Sequence, residues 1–244
     1  MVPRRRRTYG RVMETKTALI TGGSRGLGLA LARALAARGW TLVIDARNPV
    51  ALEAARVELA QLTEVRAIAG DVADPAHREE LAAAVGTNLD LLVSNASVLG
   101  PSPQPLLEDY PLEVLERVYR VNVLAPLALF QHTARRLPPG GRVIHVTSDA
   151  AVEPYEGWGG YGSSKAALEQ LTNVLAAERP DLRVYAVDPG DMNTQLHQEA
   201  FPGEDISDRA EPEESVPGLL ALIEGDLPGG RYRAAELVEA PAPR

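Results

Sequence analysis

The 244-residue chain reads as an α/β fold, a doubly wound parallel sheet with helices on both faces. Three observations predict this. Apolar runs of strand length alternate with segments whose apolar residues recur every three or four positions, as in strands buried on both faces and joined by helical crossovers. A glycine-rich stretch, TGGSRGLG at 21–28, stands between the first apolar run and the first helix-patterned segment. Finally, Gly22, Asp71, Asn95, Ser148 and Pro189 all fall just beyond the carboxyl ends of apolar runs, where open sheets of this kind bind ligands.

The first run, TALIT, leads through the glycines into LGLALARALAARG. Glycines allow a sharp turn and close approach of the backbone to a pyrophosphate, and the free N–H groups of the following helix hold negative charge. The spacing Gly22, Gly26, Gly28 lacks the Lys-Ser/Thr ending of a nucleoside-triphosphate loop, so the turn reads as a dinucleotide site. Five further strands are expected at 41–44, 65–69, 89–94, 142–147 and 183–187, with helices over 49–62, 75–85, 112–137 and 161–178. The polar stretch 197–215 is too long for an ordinary connection, which makes 191–215 a lid over the substrate or a solvated loop. A last helix near 215–224 and a short strand at 230–234 follow. One catalytic domain is expected over 15–236, between a basic, disordered extension at 1–14 and a tail at 237–244.

The formal charge is −8, and without the five arginines among the first eleven residues it is −13. Such a body does not suit a nucleic-acid face, and no nucleic-acid partner is expected. No apolar run approaches the roughly 18–20 residues of a membrane span, and no signal peptide is apparent, so a cytoplasmic protein without a membrane partner is expected. With no cysteine and four scattered histidines, no metal site is expected.

Chemistry concentrates in YGSSK, where Tyr161 and Lys165 lie one helical turn apart on one face. A neighbouring cation favours the phenolate and can bring a tyrosine toward working pH, as acid–base catalysis requires. The chain has 23 arginines and two lysines, so a lysine at 165 points to a need for a compact ammonium. Ser148, thirteen residues before Tyr161, reaches the same mouth and can donate a hydrogen bond to a carbonyl oxygen. Asn122 lies mid-helix four residues before Pro126, whose missing N–H leaves the Asn122 carbonyl free for a water.

Together these residues resemble the short-chain dehydrogenase/reductase family, with its TGxxxGxG turn, Asn-Ser-Tyr-Lys tetrad and late Pro-Gly motif, over roughly 15–195. The resemblance implies a seven-stranded Rossmann-like sheet and hydride transfer between NAD(P) and a small carbonyl or alcohol substrate. It implies that Tyr161 gives and takes the proton, Ser148 steadies the substrate oxygen, Lys165 lowers the tyrosine pKa and binds ribose, and Asn122 holds a relay water. It also implies a cofactor set. Gly22, Ser24, Arg25, Gly26, Leu27 and Gly28 come from the turn, Asp71 and Val72 from the adenine contact, and Asn95 and Ala96 from beside the ribose. Arg47, Tyr161 and Lys165 join them, with Pro189, Gly190, Met192 and Thr194 at the nicotinamide end. Ser97 replaces the family's usual glycine, and GRYRAAEL replaces its aspartate–glycine–glycine ending at the usual tetramer contact, leaving a monomer, dimer or tetramer open.

Cofactor choice turns on IDAR at 44–47. An acid at the end of the second strand pairs the ribose hydroxyls of NAD, whereas arginine accommodates the phosphate of NADP. By register with the family, Ala46 takes the acid's place and Arg47 the phosphate-binding place, with Arg25 as a second cation, so NADP(H) is favoured. Asp45 keeps NAD(H) open, since a one-residue shift would aim its carboxylate at the ribose. The competing function is a dinucleotide-sensing protein with this fold and no chemistry. Ala150, Val152, Tyr155, Trp158, Met192 and residues 197–210 are the expected substrate wall.

Overall fold

The computed structural model describes residues 15–239, so the expected basic extension and the last five residues of the expected tail lie outside the described residues. The apolar runs form strands β1 (Thr17–Ile20), β2 (Thr41–Ala46), β3 (Val65–Ala69), β4 (Leu91–Ser94), β5 (Arg142–Val146), β6 (Arg183–Asp188) and β7 (Gly230–Arg233). They pair in one parallel sheet, ordered β3-β2-β1-β4-β5-β6-β7. The direction of strand addition reverses between β1 and β4, which opens a crevice at their carboxyl ends.

Between the strands run α1 (Gly26–Ala36), α2 (Pro49–Leu59), α3 (Pro75–Val85), α4 (Leu112–Tyr119), α5 (Ala125–Thr133), α6 (Gly159–Glu178), α7 (Gln195–Ala200), α8 (Pro212–Glu224) and α9 (Ala234–Glu239). Side chains alternate across each strand, so one set, including Ile20, Ile44, Val93 and Ile144, packs with α1, α2 and α8. The other set, including Leu19, Val43, Leu92, Val143 and Val184, packs with α3, α5 and α6. Helix starts are encoded locally. Asn48 and Asp74 cap α2 and α3 ahead of Pro49 and Pro75, and Glu211 with Glu214 forms a capping box on α8.

Three features add to the sequence reading or depart from it. The helix expected over 112–137 is interrupted by a π turn at Arg120–Leu124, where the Ala125 N–H bonds the Arg120 carbonyl. Pro126, which offers no amide to the Asn122 carbonyl, sits just beyond it. The 191–215 segment is folded over the sheet's mouth, with α7 inside it and the Asn193 N–H bonded to the Ala210 carbonyl at 2.8 Å. The domain also continues past 236, since α9 runs to Glu239 and its first residue packs on α8 so tightly that a Cβ on Gly218 would lie 2.2 Å from the Ala234 carbonyl oxygen. Among the described residues, no helix is long and apolar enough to cross a membrane.

Candidate active site

The glycine turn is held from two sides. Gly22 adopts φ +69°, and its N–H donates to Asp45 Oδ1 at 2.8 Å while the Gly23 N–H donates to the Asp45 carbonyl at 2.8 Å. From the β4 side, Thr21 Oγ1 accepts the Asn95 and Ala96 amides at 3.0 Å, and Asn95 Nδ2 donates to the Thr21 carbonyl at 2.9 Å. Asn95 lines the cavity, and its Nδ2 braces the turn. Gly28 is not a lining residue at all. Its role is space: a Cβ there would lie 2.3 Å from the Gly22 carbonyl oxygen and 2.6 Å from Asn95 Nδ2.

Asp45 stands next to last in β2, facing inward. Alternation along the strand turns it to the α3 side, where Oδ2 lies 3.0 Å from His77 Nε2 and the side chain is 1% exposed. Burial pushes its carboxyl above the ordinary range, against the opposing bonds from His77 and Gly22. The carboxylate is an internal strut at the edge of the cavity lining. Arg25 and Arg47, by contrast, are exposed at the cavity edge and have no hydrogen-bond or ion-pair partner among the described residues. Neighbouring Arg33 is already committed to Glu58 and Glu213.

A cavity of about 580 Å³ runs from this turn to α6. It is lined by Gly22, Ser24, Arg25, Gly26, Leu27, Arg47, Asp71, Val72, Asn95, Ala96, Ser148, Tyr161, Lys165, Pro189, Gly190, Met192 and Thr194, which brings nearly the whole expected set together. At one end Asp71 accepts the Ala73 N–H at 2.9 Å and is ion-paired with Arg117 of α4. Burial acts upward on the Asp71 carboxyl, but the Ala73 amide, Arg117 and Arg47 outweigh it and hold it below its usual range.

Tyr161 and Lys165 form the other end. They are 5% and 2% exposed, and Lys165 Nζ lies 5.4 Å from the centre of the Tyr161 ring while donating to the Val146 carbonyl at 2.8 Å. Burial lowers the Lys165 ammonium to about 8, with Glu169 opposing. The lowering of the phenol expected from Lys165 is outweighed. Burial drives the Tyr161 pKa up, with Asp188 and Asp149 adding to the rise and the hydroxyls of Ser97 and Ser148 opposing it. Ser148 Oγ donates to Asp149 Oδ1 at 2.9 Å, so its proton must rotate to serve a substrate. Asn122 stands behind the cavity wall, not in it. Its Oδ1 accepts from Val98 N at 2.9 Å and Ser97 Oγ at 3.1 Å, and its Nδ2 donates to the Val98 carbonyl at 2.9 Å and Ser164 Oγ at 3.0 Å. Its side chain thus clamps the segment after β4 to α6.

Beside the Tyr161 ring part of the wall is apolar. Trp158 lies edge-on to Tyr161 with centroids 5.9 Å apart and meets Phe201 at 5.9 Å, while Leu99, Leu196 and Ala200 pack into the same cluster. Val152 and Tyr155, expected here, are exposed outside the lining, where Tyr155 donates to Asp149 Oδ2 at 3.0 Å; Ala150 is buried behind the wall. Sequence reasoning missed Ser97's approach to the phenol, the Arg117 pairing and the Asp45–His77 strut. Only the last had a signal, a lone acid in an otherwise apolar strand.

Residues 16–205 match the short chain dehydrogenase family. The chain is 31% identical to the short-chain dehydrogenase/reductase FrzI of Cladobotryum sp over 245 residues, covering 92% of this chain and 94% of that one. It is 36% identical to the sepiapterin reductase of Meriones unguiculatus over 198 residues, covering 74% and 75%. The solved alcohol dehydrogenase of the archaeon Thermococcus sibiricus, complexed with 5-hydroxy-NADP, superposes with a TM-score of 0.81 at 30% identity, across 90% of this chain and 96% of that one.

Proposed function

The chain belongs to the short-chain dehydrogenase family, oxidoreductases acting on CH–OH and C=O groups, and from that premise we propose that it exchanges hydride between NADP(H) and the carbonyl or hydroxyl of a small organic substrate, with Tyr161 as general acid and base. The observation that carries the reading is that one cavity joins the glycine turn to a buried Tyr161–Lys165 pair.

The residues fit the dinucleotide. Gly22, Ser24 and Gly26 line the cavity where the N-terminus of α1, free of any side-chain cap, would offer its amides to a pyrophosphate, and the absence of a Cβ at Gly28 lets the turn close against α1. Arg25 and Arg47 suit the extra phosphate of NADP(H), and the inward bonds of Asp45 favour that choice over NAD(H). The relative complexed with 5-hydroxy-NADP supports the same choice. When bound, the dinucleotide supplies or accepts the hydride.

The protein's part is the proton. Burial keeps the Tyr161 phenol neutral, the form that donates to a carbonyl oxygen during reduction. Ser148, turned from Asp149, holds that oxygen, and Lys165 compensates charge on the phenol oxygen as the proton leaves. Asn122 keeps Ser97 and α6 in register behind them. Trp158, Leu196 and Leu99 exclude water from the reacting face.

The test is NADPH consumption across a panel of ketones and aldehydes with the wild type and Tyr161→Phe. The variant should lose about 10²- to 10⁴-fold in kcat with NADPH binding retained. Retained turnover refutes the assignment, and tighter binding of NADH than of NADPH refutes the cofactor choice.

A further inference from the structure

β7 places a charged side chain beneath the site. Tyr232 packs edge-on against Tyr185 at 5.9 Å on the α8 side, so alternation turns Arg231 toward α6. Arg231 Nε donates to Glu169 Oε1 at 2.9 Å and Nη2 to Asp188 Oδ2 at 3.1 Å, with the Ser148 carbonyl oxygen 3.4 Å from Nη2. Each partner belongs to a different part of the site. Glu169 is one turn beyond Lys165 on α6 and also accepts Thr147 Oγ1 at 2.7 Å. Asp188 ends β6 and accepts the Gly190 N–H at 3.0 Å through its other oxygen. These carboxylates are 9% and 4% exposed, and buried carboxylates persist as ions only when paired.

We infer that Arg231 is a positioning residue for the proton transfer, fixing Ser148, α6 and the 188–190 turn relative to one another and neutralising Asp188 beside Tyr161 and Glu169 one turn beyond Lys165. The inference rests on the reading of Tyr161 as acid and base. The groups facing the phenol are Ser97 from the segment after β4, Ser148 and Asp149 after β5, Lys165 from its own helix, and Asp188 from β6. Asp188 is the one that Arg231 neutralises directly, with Arg233 Nε farther off at 3.8 Å. Losing Arg231 leaves Asp188 with Arg233 alone, at the longer distance, so the phenol meets more of the Asp188 negative charge, which disfavours phenolate.

The experiment compares wild type, Arg231→Met and Arg231→Lys in alcohol oxidation at saturating NADP⁺, where phenolate is the working form and the acidic limb of the rate profile follows its formation. Arg231→Met should move that limb up by about one pH unit, the size expected for one neighbouring charge, and lower kcat by about tenfold or more. Arg231→Lys keeps the charge but not the three-point geometry, so its limb should stay at the wild-type pH while kcat falls several-fold with the NADPH Kd little changed. Tyrosinate absorbance of the dinucleotide-bound proteins, referenced to Tyr161→Phe, should show the same displacement without turnover. A limb and a tyrosinate titration unmoved in Arg231→Met overturn the inference. If that variant does not fold, wild-type kcat in Arg231→Lys overturns it. Turnover by Tyr161→Phe would instead remove the parent reading, and the tyrosinate titration separates the two failures.

Discussion

Asp45 tests whether the glycine turn is built as described, because one carboxylate serves two buried donors and faces no solvent. In Asp45→Ala the Gly22 N–H, bonded at 2.8 Å, and His77 Nε2, at 3.0 Å, both lose their partner inside the protein. A buried polar group left unpaired costs about 1–3 kcal/mol, so a total of about 4 kcal/mol is expected. For a domain of this size each kcal/mol lowers Tm by roughly 2–4 °C, which places the variant roughly 8–16 °C below wild type. Asp45→Asn keeps an oxygen for Gly22 and should lose about half as much. Cofactor preference should not follow stability. With the carboxylate 1% exposed, Asp45→Asn should alter the ratio of NADPH to NADH affinity by less than about threefold, whereas a ribose ligand of charged type would contribute about 1.5–3 kcal/mol to NADH binding. Thermal denaturation and dinucleotide titration by fluorescence check both. A melting point within 2 °C of wild type for Asp45→Ala, on the order of what one surface change produces, refutes the strut, and selective loss of NADH affinity in Asp45→Asn refutes its inward orientation.

Two further outcomes follow. Arg47→Ala, at the cavity edge beside Arg25, should weaken NADPH about 10- to 100-fold through loss of charge-assisted bonds and leave NADH within about threefold, as measured by titration; equal losses for both would contradict the phosphate role. His145 is fully buried between β5 and α6, with Nδ1 2.8 Å from Thr172 Oγ1, and burial with the nearby Lys165 charge lowers its pKa to about 4. An unfolded histidine titrates near 6.5, so the unfolded chain takes the proton first, and stability is lost as pH falls from about 6.5 through about 4, by about 3 kcal/mol. Urea unfolding at pH 7 and pH 4.5 should reveal that loss in wild type and a smaller one in His145→Asn; equal acid sensitivity would show that His145 does not carry it.

Much of the site was legible before the fold because its residues sit at punctuation. Gly22, Asp71, Asn95, Ser148 and Pro189 each end an apolar run, and in a parallel sheet all such ends lie on one edge. Asn122 was legible as important, but its side-chain bonds to Val98 and Ser164 were not, since they depend on a π turn and on two segments distant in sequence. Val152 and Tyr155 were misplaced because proximity to Tyr161 along the chain says nothing about which side of a turn faces the cavity.

Periodicity and the placement of glycines along the chain suffice to dictate seven strands, their crossover helices and a phosphate-type turn, since these follow from local geometry and from which side chains shun water. Which face Asp45 takes, how deeply Tyr161 is buried, and the meeting of Arg231 with Glu169 and Asp188 belong to the assembled protein alone. Desolvation and charge pairing act between residues brought together only when helices close on both sides of the sheet, and they reverse the sign that the Tyr161–Lys165 spacing suggests for the phenol.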